Sequence, residues 1–269
     1  MQGDDLRICF FGDSFVNGTN DTEYLGWPGR LSILARRKGY RLTYYNLGVR
    51  RETSRDIAAH WELEAQRRLP DSCTPYVVFS DGVNDSTIEA GARRVAEKTS
   101  VDNTRHILHA AKQRSYRVAL IGPPPIADPQ HNERTRQLSV ALGRGAEDEG
   151  VPFLSTFDAL SADPVWMAEV AADDGAHPDA AGYAIIATLV DGWNGWWFKK
   201  RFSVVPLGKP RWRGLRLALL ISLTAAIESF YIGAQRRIEK ECRMRGLAAY
   251  LARCFVMLSV VWLGAGDWV

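Results

Sequence analysis

A hydroxyl, an imidazole, a carboxylate and two hydrogen-bond donors stand at positions where they can act together. Ser14 closes the run Phe11, Gly12, Asp13, Ser14, which directly follows an apolar stretch. At the start of a helical turn its hydroxyl faces a cleft, and its backbone N–H is free to point at an anion. Asp174 and His177 lie three residues apart around Gly175 and Ala176. In a turn that spacing lets the carboxylate reach the Nδ1–H, which leaves Nε2 to face a serine. Gly48, after Asn46 and Leu47, offers a backbone N–H with no side chain in the way. Asn84, two residues after Gly82, offers a side-chain amide. Each piece has a plainer reading. Ser14 can cap a helix, Asn84 can make an Asx turn, and His177 can be a surface histidine beside an acid. Asp173 is an alternative orienting acid with poorer spacing. Four pieces in chain order favour joint chemistry over four accidents.

The elements that must position them alternate in type. Short apolar runs over 6–11, 41–47, 75–80, 117–121 and 152–154 read as strands. Helical patterns cover 27–38, 54–69, 91–114, 132–149 and 179–198. Near-continuous apolar strands alternating with helices imply a parallel sheet covered on both faces. The expected fold is α/β, a three-layer α/β/α sandwich around five parallel strands. Ligands bind such sheets outside the carboxyl ends of the strands. Ser14, Gly48 and Gly82 each fall just past one. Gly12 is expected to permit the turn into Ser14. In the last helix Asp179 is the expected N-cap, and Tyr183, Ile186, Val190, Trp193 and Trp197 are expected to share one buried stripe. Trp27 can wall the cleft or pack in the core.

These residues resemble the GDSL (SGNH) hydrolase family, an esterase and lipase superfamily, over about residues 1–198. The resemblance implies a flavodoxin-like sandwich. It makes Ser14 the nucleophile, His177 the general base and Asp174 its orienting acid. Ser14 N–H, Gly48 N–H and the Asn84 side chain become the oxyanion hole. It implies a small-molecule ester substrate cleaved through an acyl-enzyme, without metal or cofactor. Phe15 stands where the namesake motif has Leu. Arg51 stands where the family often has a second glycine, which narrows or charges the cleft mouth. The glycine-flanked serine of α/β-hydrolases is absent, because position 16 is Val. An acyltransferase would use the same residues, and a non-catalytic binding module on this fold remains the alternative from another class.

Composition bounds the rest. The chain has 269 residues, 46% hydrophobic and 24% charged, the mix of a globular protein. The net charge of +3 hides an inversion: residues 199–269 carry +9 and residues 1–198 carry −6. The basic balance therefore belongs to the tail, and nucleic-acid binding is not expected of the body. Two domains follow: a hydrolase-like body over 1–198 and a basic, partly apolar extension over 199–269. The uncharged stretches 217–227 and 254–266 fall short of the ~20 apolar residues that span a bilayer. The extension is expected either to lie on a membrane surface or to be a terminus without a fold of its own. Asp4 and Asp5 precede the first apolar run, where a secretory signal wants positive charge. The four cysteines form no C-x-x-C pair, so reduced thiols and a cytoplasmic location are expected. His106 and His109 share a helix face without a third metal ligand at suitable spacing.

Overall fold

The computed structural model describes residues 5–199. The expectations for residues 199–269, other than Lys199 itself, lie outside the described residues.

The chain forms β1 (Leu6–Gly12), α1 (Ser14–Asn17), α2 (Gly26–Arg37), β2 (Leu42–Gly48), α3 (Ser54–Arg68) and β3 (Thr74–Ser80). A small hairpin follows, β4 (Ile88–Glu89) and β5 (Ala92–Arg93). Then come α4 (Glu97–Gln113), β6 (Arg117–Ile121), α5 (Pro129–Asp148) and β7 (Phe153–Leu154). The helices α6 (Phe157–Ser161), α7 (Pro164–Ala172) and α8 (Ala180–Gly192) complete the described chain. The main sheet has five strands in the order β2-β1-β3-β6-β7, all parallel.

Alternation along the strands builds the two interior layers. Ile8 and Phe10 of β1 face one side, where they join Leu31 of α2, Trp166 of α7 and Tyr183 and Ile186 of α8. Cys9 and Phe11 face the other, against Ile57 and Trp61 of α3, Ile107 of α4 and Leu138 of α5. This is the expected α/β/α sandwich. Because β2 and β3 flank β1 on opposite sides, the chain reverses its winding at β1, the place where open α/β sheets bind ligands. Register makes that place level: Gly12 pairs with Gly48 on one side and Ser80 on the other.

Local chemistry accounts for the helix ends. Thr53 and Asp56 form a capping box that starts α3. Asp128 and Asp163 cap α5 and α7, each with proline at the first helical position. Three expectations need correction. The helix expected over 91–114 begins only at Glu97, because the β4–β5 hairpin takes the preceding residues. The helix expected over 179–198 stops at Gly192, and Trp193 turns extended. Trp193 and Trp197 therefore do not continue the helical stripe. Instead Trp196 and Phe198 fold back into the core, with Phe198 5.0 Å from both Tyr40 and Tyr76, ring centre to ring centre. Of the two readings left open for Trp27, packing in the core is the one that holds: it is buried, edge-on to Phe10 at 5.3 Å.

Among the described residues these two clusters fill both faces of the sheet with side chains that precede Lys199. A chain ending at Lys199 is therefore expected to fold with a melting temperature within a few degrees of the full chain. Insolubility of the shortened chain would show that the body needs residues 200–269 to cover an apolar face.

Candidate active site

The backbone brings Ser14 to its place by close packing. A side chain at Gly12 would put its Cβ 2.2 Å from the Ser80 carbonyl oxygen, so only glycine lets α1 settle over the strand ends. Gly12 lacks a positive φ, so its role is space and not the expected turn freedom. Asp13 is the N-cap of α1, its Oδ1 accepting from Phe15 N at 2.9 Å.

Ser14, His177 and Asp174 meet although 163 residues separate the first two. Ser14 Oγ lies 2.7 Å from His177 Nε2. Asp174 Oδ2 lies 2.6 Å from His177 Nδ1. Asp174 Oδ1 accepts the amides of Ala176 and His177 at 2.9 and 2.8 Å, a tight turn that Gly175 permits with φ +77°. Burial acts to raise the Asp174 carboxyl, but the hydrogen bonds from His177 and Ala176 outweigh it and hold the group down at about 2. Asp174 is therefore an anion at neutral pH, and it accepts the Nδ1 proton. Its neighbour Asp173 points elsewhere, accepting from Asn20 Nδ2 at 2.8 Å.

Asp179 caps the last helix as expected, but Glu169, Thr22 and Asn20, which also hold this turn, had no sequence signal. Glu169 of α7 accepts the amides of Asp179 and Gly182 at 3.0 and 2.7 Å, fixing the start of α8 just after His177. Asp179 accepts from Thr22 N and Oγ1 at 2.9 and 2.7 Å. Thr22 and Asn20 belong to one loop, organised by the fully buried carboxylate of Asp21. That group accepts from Gly26 N at 2.6 Å and from Arg30 Nη2 at 3.0 Å, and Arg30 Nη1 also donates to it. Arg30→Ala would leave the Asp21 charge buried and unpaired. It is expected to cost about 3 kcal/mol in urea unfolding, the lower end for breaking a buried pair. A loss under 1 kcal/mol would show that water replaces the guanidinium there.

Phe15 packs its ring 4.9 Å from the His177 imidazole and 6.4 Å from Trp166, which donates from Nε1 to Pro125 O at 3.1 Å. The large apolar residue in place of the motif's Leu thus backs the imidazole.

The candidate oxyanion donors are arranged unequally. Ser14 N–H heads α1 and has no intrahelical acceptor. Asn84 stands on the loop after β3, where Gly82 adopts φ +117°. Its Nδ2 donates to Glu52 O at 2.9 Å and to Asp13 Oδ2 at 3.3 Å. Gly48 ends β2, and a Cβ there would lie 2.2 Å from Asn17 N, so it serves close packing against α1. Its amide donates to Asn46 Oδ1 at 3.1 Å. Asn46 Nδ2 in turn donates to Val16 O at 2.8 Å. Arg51 has φ +69°, the left-handed region where a glycine is unstrained, and its guanidinium reaches Glu89 at 2.8 Å.

Two of the histidines outside this group have acidic partners. His60 pairs with Glu52 at 2.9 Å and His109 with Glu149 at 3.2 Å. No group of three or more His, Cys, Asp or Glu that could hold a metal occurs among the described residues. Cys9 and Cys73 are both buried, and burial pushes the Cys9 thiol up to about 12. Among the described residues no helix is long and apolar enough to cross a membrane.

A five-stranded parallel α/β/α sandwich with a Ser-His-Asp hydrogen-bond chain at its carboxyl edge defines a recognisable class of protein. The chain belongs to the GDSL-like lipase/acylhydrolase family, whose model matches residues 10–185. That membership makes ester hydrolysis the general chemistry. Solved structures share the fold. A lipase/acylhydrolase from Enterococcus faecalis aligns with TM-score 0.54 and 22% identity, over 69% of this chain and 93% of that one. A lipolytic protein of the G-D-S-L family from Desulfitobacterium hafniense aligns with TM-score 0.57 and 17% identity, over 69% and 97%. An acetylxylan esterase from Geobacillus stearothermophilus aligns with TM-score 0.56 and 20% identity, over 70% and 93%. No curated protein matches the chain.

Proposed function

We propose that the protein is a serine esterase that cleaves small-molecule carboxylic esters through an acyl-enzyme on Ser14. The observation that carries this reading is the unbroken chain of hydrogen bonds from Asp174 through His177 to Ser14 Oγ, at 2.6 and 2.7 Å. Asp174, anionic and fixed by two amides, holds imidazole Nδ1–H and leaves Nε2 as the base. His177 Nε2 takes the Ser14 proton while Oγ bonds to the ester carbonyl carbon. The tetrahedral oxyanion is held by Ser14 N–H and the Asn84 amide. Gly48 N–H is the third donor of this reading, and it becomes available when Asn46 turns its Oδ1 away. Collapse breaks the C–O bond to the alcohol, which leaves with the proton from His177. Water, deprotonated by His177, then releases the acid and restores Ser14. None of these steps calls on a metal or cofactor.

Two measurements test the reading. A fluorophosphonate probe reacts only with an activated serine and is expected to label Ser14 alone. A panel of p-nitrophenyl esters of graded chain length is expected to be turned over, with the rate ranking the acyl groups the cleft accepts. An unlabelled, well-folded protein with no turnover of any ester would leave a binding module on this fold as the answer. Acyl transfer exceeding hydrolysis when a sugar or other alcohol is supplied would make the protein an acyltransferase that uses the same serine.

A further inference from the structure

The reading above leaves one buried acid beside the nucleophile without a task. Asp13 is 2% exposed, between the strand end and Ser14. Its Oδ1 caps α1 through Phe15 N, and a cap needs only that one oxygen. Its Oδ2 faces Asn84 Nδ2 at 3.3 Å. Asn84 has two amide hydrogens, and two fixed acceptors claim them. Glu52 O, on the loop after β2, takes one at 2.9 Å. Asp13 takes the other over a contact beyond the usual range for N–H···O.

The two acceptors come from different loops and define the plane of the Asn84 amide. One of them is covalently next to Ser14. We propose that Asp13 is a positioning residue that acts through Asn84: it holds the amide in register with the nucleophile, and the hydrogen it accepts loosely is shared with the oxyanion when charge develops there. The inference rests on the esterase reading, in which Asn84 is an oxyanion donor.

The surroundings suit a hydrogen that must be held weakly. Burial pushes the Asp13 carboxyl up to about 7, against the hydrogen bond from Phe15 N, and the nearby Asp85 and Glu52 add to the rise. Asp81, itself buried and raised by burial and by Asp85 and Asp13, adds a further like charge close by. A carboxyl in such a place carries less negative charge than an ordinary aspartate near neutral pH, and so competes less with a full oxyanion for the Asn84 hydrogen.

A double-mutant cycle separates this role from capping. Asp13→Ser keeps a capping oxygen but is too short to reach Asn84. Asp13→Asn also caps, and it turns an amide donor toward the Asn84 donor. Each is expected to lower kcat about tenfold with KM within about twofold, the size of one hydrogen bond withdrawn from a transition state. In an Asn84→Ala background each is expected to cost less than about twofold more, because the residue it acts through is gone. Full kcat in both single variants would overturn the inference. So would the same tenfold loss repeated in the Asn84→Ala background, which marks a role in the fold or on Ser14 itself. Fluorophosphonate labelling of the wild type accompanies the cycle. Labelling without coupling overturns this inference alone, whereas absence of labelling overturns the esterase reading beneath it as well.

Discussion

Ser14→Ala is expected to abolish ester turnover, by about 10⁴ or more in kcat, and to leave the fold intact. Among the described residues the Ser14 hydroxyl has His177 Nε2 as its hydrogen-bond partner. Its removal leaves no buried donor stranded, because the imidazole is also held from Nδ1 by Asp174. The amide of position 14 and the cap from Asp13 to Phe15 survive the change. Urea or thermal unfolding within about 1 kcal/mol of the wild type, together with loss of burst and steady-state release of p-nitrophenol, is the expected pair of results. Ester hydrolysis at the wild-type rate by a well-folded Ser14→Ala protein would end the assignment of Ser14 as nucleophile.

Asn84→Ala is expected to lower kcat by about 10²–10³ and to change KM far less. The donor is used mainly when the carbonyl oxygen takes on charge, so its loss raises the transition state more than the bound ester. The same substitution strands Glu52 O and one oxygen of Asp13, so a stability loss of about 1 kcal/mol accompanies it. The kinetic effect is read under conditions where the variant is fully folded. A change confined to KM would make Asn84 a substrate-binding residue and remove it from the oxyanion hole.

Much of this was legible in the sequence because it is local or periodic. The strands are short apolar runs, of which β1, β2 and β3 end in small residues, and the Asp174-to-His177 turn is closed within four residues. The helix α7 was missed despite a signal in plain view, Asp163 capping and Pro164 at the first position. The β4–β5 hairpin pairs two residues with two, too few to show a period of two. The overrun of the last helix has a different cause. Trp193 and Trp197 lie at helical spacing from Val190, but Asn194 and Gly195 intervene, and a side chain at Gly195 would strike the Trp193 ring at 2.3 Å. The periodic pattern runs on through a turn whose packing admits only glycine at position 195. The supports of the site were beyond sequence reading altogether. Glu169 to α8, Thr22 to Asp179, and Asn84 to Asp13 join residues 10 to 157 positions apart, and only the fold brings them together.

The level ending of β1, β2 and β3 bears on which changes this chain can absorb over evolutionary time. Paired residues Gly12, Gly48 and Ser80 act as a common datum, and β1 is the ruler that sets Ser14 beyond it. One residue added to or lost from β1 would shift Ser14 by about 3.3 Å along the strand. That exceeds the 2.7 Å separating it from His177, and it also exchanges the two faces of the strand. Substitutions that keep strand length and alternation leave the datum untouched, however many accumulate. Insertions and deletions are thus tolerable in the connecting loops and ruinous between Leu6 and Gly12. Proteins about one-fifth identical to this one share its fold, so the architecture tolerates wide change in side-chain identity.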